Sequence, residues 1–268
     1  MIRIGVRSFV SAGGDADAQA FITAAGITDA TQQSAINTLV IDLKGYGVWT
    51  KMRAIYPFVG GTASTHKWNL KDPRDLDAAF RLVFFGGGSH GTGGWTPNGT
   101  NGYADTFMVQ STVFNANSNH VSAYSRTNIA SGTTPYFMGV TNATTHGFQI
   151  LSARNSLGNF LYENGSQVIS LSNTNTTGFY LGTSTSSTSA KSYKNGVNVG
   201  TSTTSQIRTM FATSVLLSVA KKSDGTIFGG YDNKQLAFAS LGDGLTDTEA
   251  SNLYTAVQAY QTTLSRNV

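Results

Sequence analysis

Three Asx-Gly pairs constrain the fold of this chain more than any other feature. Asn164-Gly165, Asn195-Gly196 and Asp224-Gly225 each stand between strand-like apolar runs. A two-residue hairpin of the I′ type needs positive φ at both central positions, which Asn-Gly and Asp-Gly adopt at little steric cost. The expectation is therefore three antiparallel hairpin tips, each with positive φ at both residues. The apolar runs around them are short: 79–85, 107–114, 121–124, 136–140, 148–151, 160–162, 168–171, 179–181, 214–220, 226–231 and 235–240. Clusters of Ser, Thr, Asn and Gly separate them, which is strand-and-turn grammar. A parallel α/β sheet would need helices between its strands, and residues 50–240 show no helical period. The fold class is mainly β, an antiparallel β-sandwich or jelly roll.

Helical patterns occur only at the two ends. Ala18, Phe21, Ile22 and Ala25 share one helical face, with Asp15 placed to cap its start and Gly26 to end it. Ile36, Leu39, Val40 and Leu43 repeat the spacing, with Thr28 or Asp29 as N-cap and Gln32 as the far member of a capping box. At the other end, Thr246-Asp247-Thr248-Glu249 is a capping box, stapled by Leu245 and Ala250 and followed by Leu253, Val257, Tyr260 and Leu264. Residues 48–59 concentrate Trp49, Met52, Ile55, Tyr56 and Phe58. Such a stretch is too apolar for water, so Trp49, Met52, Tyr56 and Phe58 are packing or assembly candidates. Part of the stretch is expected to pack the helical hairpin, with Leu253 and Val257, onto one side of the sandwich. Its remaining apolar face is expected to meet another subunit. This divides the chain into an N-terminal module, 1–60, and a jelly roll with its terminal helix, 61–268.

Composition narrows the chemistry. Only 12% of residues are charged, while Ser, Thr and Asn number 28, 35 and 19. A surface built on hydroxyls and amides suits β-rich proteins that work outside cells. Cys is absent, which excludes disulfides, thiolate catalysis and Cys-based zinc sites. The net charge of +4 is spread unevenly, with seven Lys/Arg against two Asp/Glu in residues 105–223. No basic run exceeds Lys221-Lys222, so no stripe exists to follow a nucleic-acid backbone. No run of 18 apolar residues occurs, and Met1–Arg7 is not followed by the apolar core of a secretory signal. The expectation is a protein made in a cytoplasm and released by lysis.

Catalytic patterns are missing. A glycosidase needs two carboxylates across the scissile bond, yet Glu163 is the sole acid between Thr106 and Ser223. Beside a turn, it reads as an exposed solubilising group. His66, His90, His120 and His146 form no H-x-x-x-H or H-E-x-x-H pattern, and no acid lies within two residues of any of them. The glycine-rich stretch 86–94 lacks the Gly-Lys-Ser/Thr of a phosphate loop and reads as a flexible or tightly turning connection. Asp105, Asp224 and Asp232 read as solvated loop carboxylates. No catalytic residue, metal or cofactor is expected. One binding constellation stands out: Trp95 and Tyr103 flank Asn98 and Asn101 and precede Asp105. Sugars stack their C–H faces on aromatic rings and hydrogen-bond to amides and carboxylates. These five residues are therefore candidates for glycan or subunit contact, with Trp95 covering the core as the alternative.

Two stretches carry a family resemblance. Ser192-Tyr193-Lys194-Asn195-Gly196-Val197-Asn198-Val199-Gly200, with the closing strand at 236–241 and the helix from Leu245-Thr246-Asp247-Thr248-Glu249, resembles laminin-G and concanavalin A-like jelly rolls. Ala24-Ala25-Gly26-Ile27-Thr28-Asp29 through Asn69-Leu70-Lys71-Asp72-Pro73 is similar to a module that precedes lectin-like sandwiches in tailed-phage structural proteins. The resemblance implies a non-enzymatic virion component: head decoration, head fibre or tail-associated protein. Its partners would be other virion proteins and copies of itself. The alternative is an adhesin that contacts host glycans through rim loops. The acid-poor middle lacks the carboxylate cluster with which true lectins hold metal ions.

Overall fold

A computed structural model describes residues 14–129, 135–142, 147–154 and 159–268; His146 and Met1–Arg7 lie outside them. Two antiparallel sheets pack face to face. Sheet A runs in the order β13 (Val197–Ser202), β12 (Ser189–Lys194), β11 (Gly178–Ser186), β6 (Asn119–Ser125), β17 (Leu236–Gly242), β4 (Gly94–Pro97), β3 (Gly88–Gly91), and β1 (Met52–Tyr56) also pairs with β17. Sheet B runs β10 (Gln167–Ser172), β9 (Asn159–Asn164), β8 (Gly147–Arg154), β7 (Met138–Thr141), β14 (Ser214–Leu217), β5 (Tyr103–Val109), β2 (Val83–Phe85). A short hairpin, β15 (Ala220–Lys222) with β16 (Ile227–Gly229), joins β7 through one parallel pairing. The helices are α1 (Ala16–Ala25), α2 (Ala30–Gly45), two single turns α3 (Ala63–His66) and α4 (Gln110–Val113), and α5 (Asp247–Thr263). Among the described residues, no helix is long and apolar enough to cross a membrane.

The layers number three. Between the sheets lies a core of Tyr56, Phe58, Trp95, Met108, Phe137, Tyr162, Tyr180, Leu217 and their neighbours. A second core fills the space between sheet A and the helices: Phe21, Ile36, Leu39, Val40 and Leu43 meet Leu253 and Val257 over Tyr124, Phe179, Leu181 and Phe238. The terminal helices therefore pack on one side of the sandwich, as their stripes predicted. Their caps form too. The Asp15 side chain accepts from Asp17 N–H, Gly26 ends α1 with φ 65, and Thr246 and Glu249 make a reciprocal box at α5. Asp29 caps α2, but the Gln32 side chain accepts from Gly60 N–H at 2.7 Å, so the expected box is open. After α5 comes Arg266, which is 3% exposed and donates to the carbonyls of Pro57, Phe58 and Ala237.

All three Asx-Gly pairs lie at hairpin tips, through three different turn geometries. At Asn195-Gly196 both residues have positive φ, 49 and 76, and Lys194 pairs with Val197, as a I′ turn requires. Asn164 pairs with Gln167, so Gly165-Ser166 is the loop and only Gly165 (φ 62) is positive, the II′ pattern. At Asp224-Gly225 the loop is three residues long: Lys222 N–H bonds Thr226 O and Gly225 N–H bonds Lys222 O, with Gly225 alone at φ 88. That is a type I turn closed by a left-handed glycine. Other corrections concern residues 79–114. The glycine-rich stretch is a hairpin, β3–β4, and the run at 107–114 is the end of β5 followed by α4. Glycines leave no side chains to alternate, so period-two reading cannot detect such strands.

Three substitutions check this packing and these turns. Leu253→Ala removes a fully buried side chain from the helix–sheet core and should cost about 2–5 kcal/mol in urea unfolding. Gly225→Ala should cost about 1–2 kcal/mol from left-handed strain alone, because nothing lies within 4 Å of the new methyl. Gly196→Ala should cost more, since its methyl would meet the Tyr254 ring at 2.5 Å.

Candidate functional site

Strand β2 ends in two phenylalanines that point opposite ways, as successive strand residues must. Phe84 turns inward. With Phe58 and His90 it encloses the Trp95 ring at centroid distances of 5.0, 6.3 and 6.3 Å, leaving Trp95 2% exposed. Trp95 is thus a core residue, and its ring is closed to a sugar or a second subunit. Asn98 and Asn101 are also committed within the chain. The Asn98 carbonyl oxygen accepts from the N–H groups of Thr100, Asn101 and Gly102, and its amide donates to Asn101 Oδ1 at 2.7 Å. Asn101 Oδ1 also accepts from Gly87 N–H. These amides build the turn that delivers Tyr103.

Phe85 turns outward and is 43% exposed. It pairs across strands with Tyr103, and the two rings stack at 5.0 Å with 15° between planes. Tyr231 tilts against Tyr103 at 6.4 Å. Burial, Tyr231 and Asp105 push the Tyr103 phenol up from 10.0, so it stays a neutral hydroxyl. Two residues along β5, on the same face, Asp105 accepts from Ser214 Oγ at 3.1 Å and pairs with Lys221 at 3.5 Å. In β5 the residues alternate, half-buried on this side and buried toward the core. The result is an open platform on the outer face of sheet B: three aromatic rings beside a carboxylate and an ammonium, with the buried Ser214 hydroxyl bridging those two, accepting from Lys221 Nζ at 2.8 Å. Tyr103 and Asp105 were legible as candidates. Phe85, Tyr231, Ser214 and Lys221 were not, although strict alternation along β2 and β5 would have put Phe85 beside Tyr103.

The assembly candidates are buried by this chain itself. Met52, Tyr56 and Phe58 are at most 2% exposed and Trp49 is 8% exposed, with the Lys71 ammonium 4.1 Å from the Trp49 ring centroid. Tyr56 OH donates to Phe80 O at 2.7 Å. No apolar face of this stretch is left over for a second subunit, because β1 joins sheet A and its side chains enter both cores. Glu163 is half-buried, not exposed; it accepts from Gly147 N–H, and burial raises its carboxyl above 4.5 despite that bond. Asp224 is solvated, but Asp232 is wholly buried against Lys234 at 2.6 Å. Among the described residues, no three His, Asp or Glu side chains converge as a metal site would require.

The arrangement can be set beside known proteins. No protein-family model matches the sequence, and no curated protein matches it. Among solved structures, the chain is similar to domain 4 of AbnA, a GH43 extracellular arabinanase from Geobacillus stearothermophilus, in complex with arabinotriose. That match has 15% identity and a TM-score of 0.47, over 76% of this chain and 98% of that one. The botulinum neurotoxin serotype D binding domain matches at 12% identity and a TM-score of 0.47, over 77% of this chain and 52% of that one. The NanB sialidase from Streptococcus pneumoniae matches at 13% and 0.37, over 52% of this chain and 24% of that one. The chain thus spans about half of the toxin domain and a quarter of the sialidase. These likenesses concern fold, and the functional reading rests on the platform's own geometry.

Two buried histidines make stability depend on pH. His66 Nδ1 faces His90 Nδ1 at 2.9 Å, so one ring donates, the other accepts, and both are neutral. Burial, with His90 and Arg266 nearby, lowers His66 from 6.5 to about 3. His120 donates from Nδ1 to Asp243 O and accepts from Ser240 at Nε2; burial lowers it to about 4 against the pull of that carbonyl. The unfolded chain takes up these protons near pH 6.5, whereas the folded chain does so only near 4 and 3. Their contribution is therefore full above pH 6.5 and is lost as pH falls toward the folded values. Urea unfolding should show stability falling by about 1 kcal/mol or more per pH unit between about pH 6.5 and 5. His66→Phe, which fits the aromatic surroundings, should flatten that slope.

Proposed function

We propose that this chain is a non-enzymatic binding module that holds a neutral glycan against the outer face of sheet B. The observation that carries this reading is the stacked Phe85–Tyr103 pair with Tyr231, standing exposed or half-exposed beside Asp105, Ser214 and Lys221. Ring faces supply the apolar contact that sugar C–H groups need, and the partly exposed Asp105 and Lys221, held together by Ser214, offer an acceptor and donors for hydroxyls. A platform without deep walls suits the side of a polysaccharide chain better than a small free sugar.

Carboxylate placement supports the non-enzymatic part. Asp105 in β5 and Glu163 in β9 are the two acids of residues 105–223, and β8, β7 and β14 lie between them. Four strand steps of about 4.8 Å put them about 19 Å apart, against the roughly 5–9.5 Å that glycosidic cleavage requires. The setting proposed is a tailed-phage particle, as a head decoration, head fibre or tail-associated component among other virion proteins and copies of itself. The resemblance of residues 24–73 supports that setting, and labelling the chain in intact particles by electron microscopy tests it.

Affinity electrophoresis against arabinan, galactan, β-glucan and mannan tests the glycan reading. The wild type should be retarded by at least one of them. Phe85→Ala and Tyr103→Ala should each weaken that binding about tenfold, roughly 1.4 kcal/mol, with melting little changed. Trp95→Ala should lower the melting temperature instead. A wild type indifferent to all four polysaccharides overturns the proposal.

A further inference from the structure

The segment joining β16 to β17 belongs to no strand, yet it carries Tyr231 to the platform. Its side chains alternate: Tyr231 and Asn233 are half-buried, while Asp232 and Lys234 are 0% and 1% exposed. Asp232 Oδ1 accepts from the backbone N–H groups of Asn233 at 2.8 Å and Lys234 at 3.2 Å, and from Lys234 Nζ at 2.6 Å. The Lys234 ammonium also sits 5.0 Å from the Phe137 ring centroid, and Asp232 N–H bonds Ser218 O. Gly229 and Gly230, at φ 112 and 71, lead into the segment. Asn233 packs against Gly99, where a methyl would come within 3.1 Å of its Cβ, and so touches the turn that precedes Tyr103.

We propose that the buried Asp232–Lys234 pair is a positioning device, fixing Tyr231 and Asn233 against the two sides of the aromatic platform. This rests on the glycan reading of that face. Taking two charges out of water is costly, and an apolar pair of similar volume would often serve stability as well or better. What an apolar pair lacks is an acceptor for the N–H groups of Asn233 and Lys234. The carboxylate adds order to a stretch that belongs to no strand and is held by scattered backbone bonds, and a ring held in place before binding loses less freedom when a ligand arrives. Asp232 and Lys234 touch no ligand themselves and act through their neighbours.

The test separates position from stability. The double variant Asp232→Leu with Lys234→Met keeps the volume and removes the acceptor. Its melting temperature should stay close to that of the wild type, because relief of charge desolvation offsets the lost acceptor, while its affinity for whichever of arabinan, galactan, β-glucan and mannan retards the wild type most should fall about tenfold. With 3-fluorotyrosine in place of Tyr231, the ¹⁹F resonance should be single and sharp in the wild type and broadened in this variant. Asp232→Asn with Lys234→Gln restores an uncharged acceptor and should recover both affinity and the sharp resonance. Unchanged affinity in the leucine–methionine variant, or no recovery in the asparagine–glutamine variant, overturns the positioning role. Failure of either variant to fold does so too, making the pair a folding requirement. In each of these cases a loss of binding in Tyr103→Ala leaves the platform standing. A wild type that binds none of the polysaccharides overturns platform and positioning together.

Discussion

Burial of sheet A on both faces is the constraint from which the rest of the architecture follows. Its central strands, β6 and β17, are buried at every residue, with one face against sheet B and the other against α1, α2 and α5. A sheet apolar on both sides cannot end a molecule, so the helices at the two ends of the chain must meet over it. Polar groups trapped there need partners of their own. His120 supplies one solution, spanning Asp243 O and Ser240, whose hydroxyl lies 2.7 Å from that of Ser122. Arg266 supplies another by spreading its donors over four backbone carbonyls and the Gln261 side-chain oxygen.

Once sheet A is closed, the chain has one sheet face left to show. The outward residues of β5 are half-buried and those of β10 include Val168 at 50% exposed, whereas their inward neighbours are buried apart from the half-buried Leu171. Aromatic rings on that face are not needed by either core. Phe85, Tyr103 and Tyr231 group there, while the larger Trp95 is consumed by packing. The same division governs the acids. Asp105 serves the platform, Asp232 orders a connecting segment, and Glu163 accepts a backbone N–H.

Local geometry was written plainly in the chain. The stripes of α1, α2 and α5, most of their caps and the three hairpin tips follow from rules that reach only a few residues, so the sequence by itself determined them. Its alternation also announced a sandwich. What it could not supply was which side of each strand would be covered, because that depends on elements far away in the chain. Trp95 reads as the ring to meet a ligand, and Phe85 as one more residue of an apolar run, until the fold shows the first enclosed by Phe58, Phe84 and His90 and the second facing out. Gly88–Gly91 and Gly94–Pro97 read as a loop until pairing makes them strands, since glycine at three of their eight positions breaks the alternation. Asp232 reads as a solvated loop carboxylate until tertiary packing buries it against Lys234. Periodicity reports the direction of a side chain relative to its own backbone; only the assembled layers decide whether that direction leads to solvent or to the core.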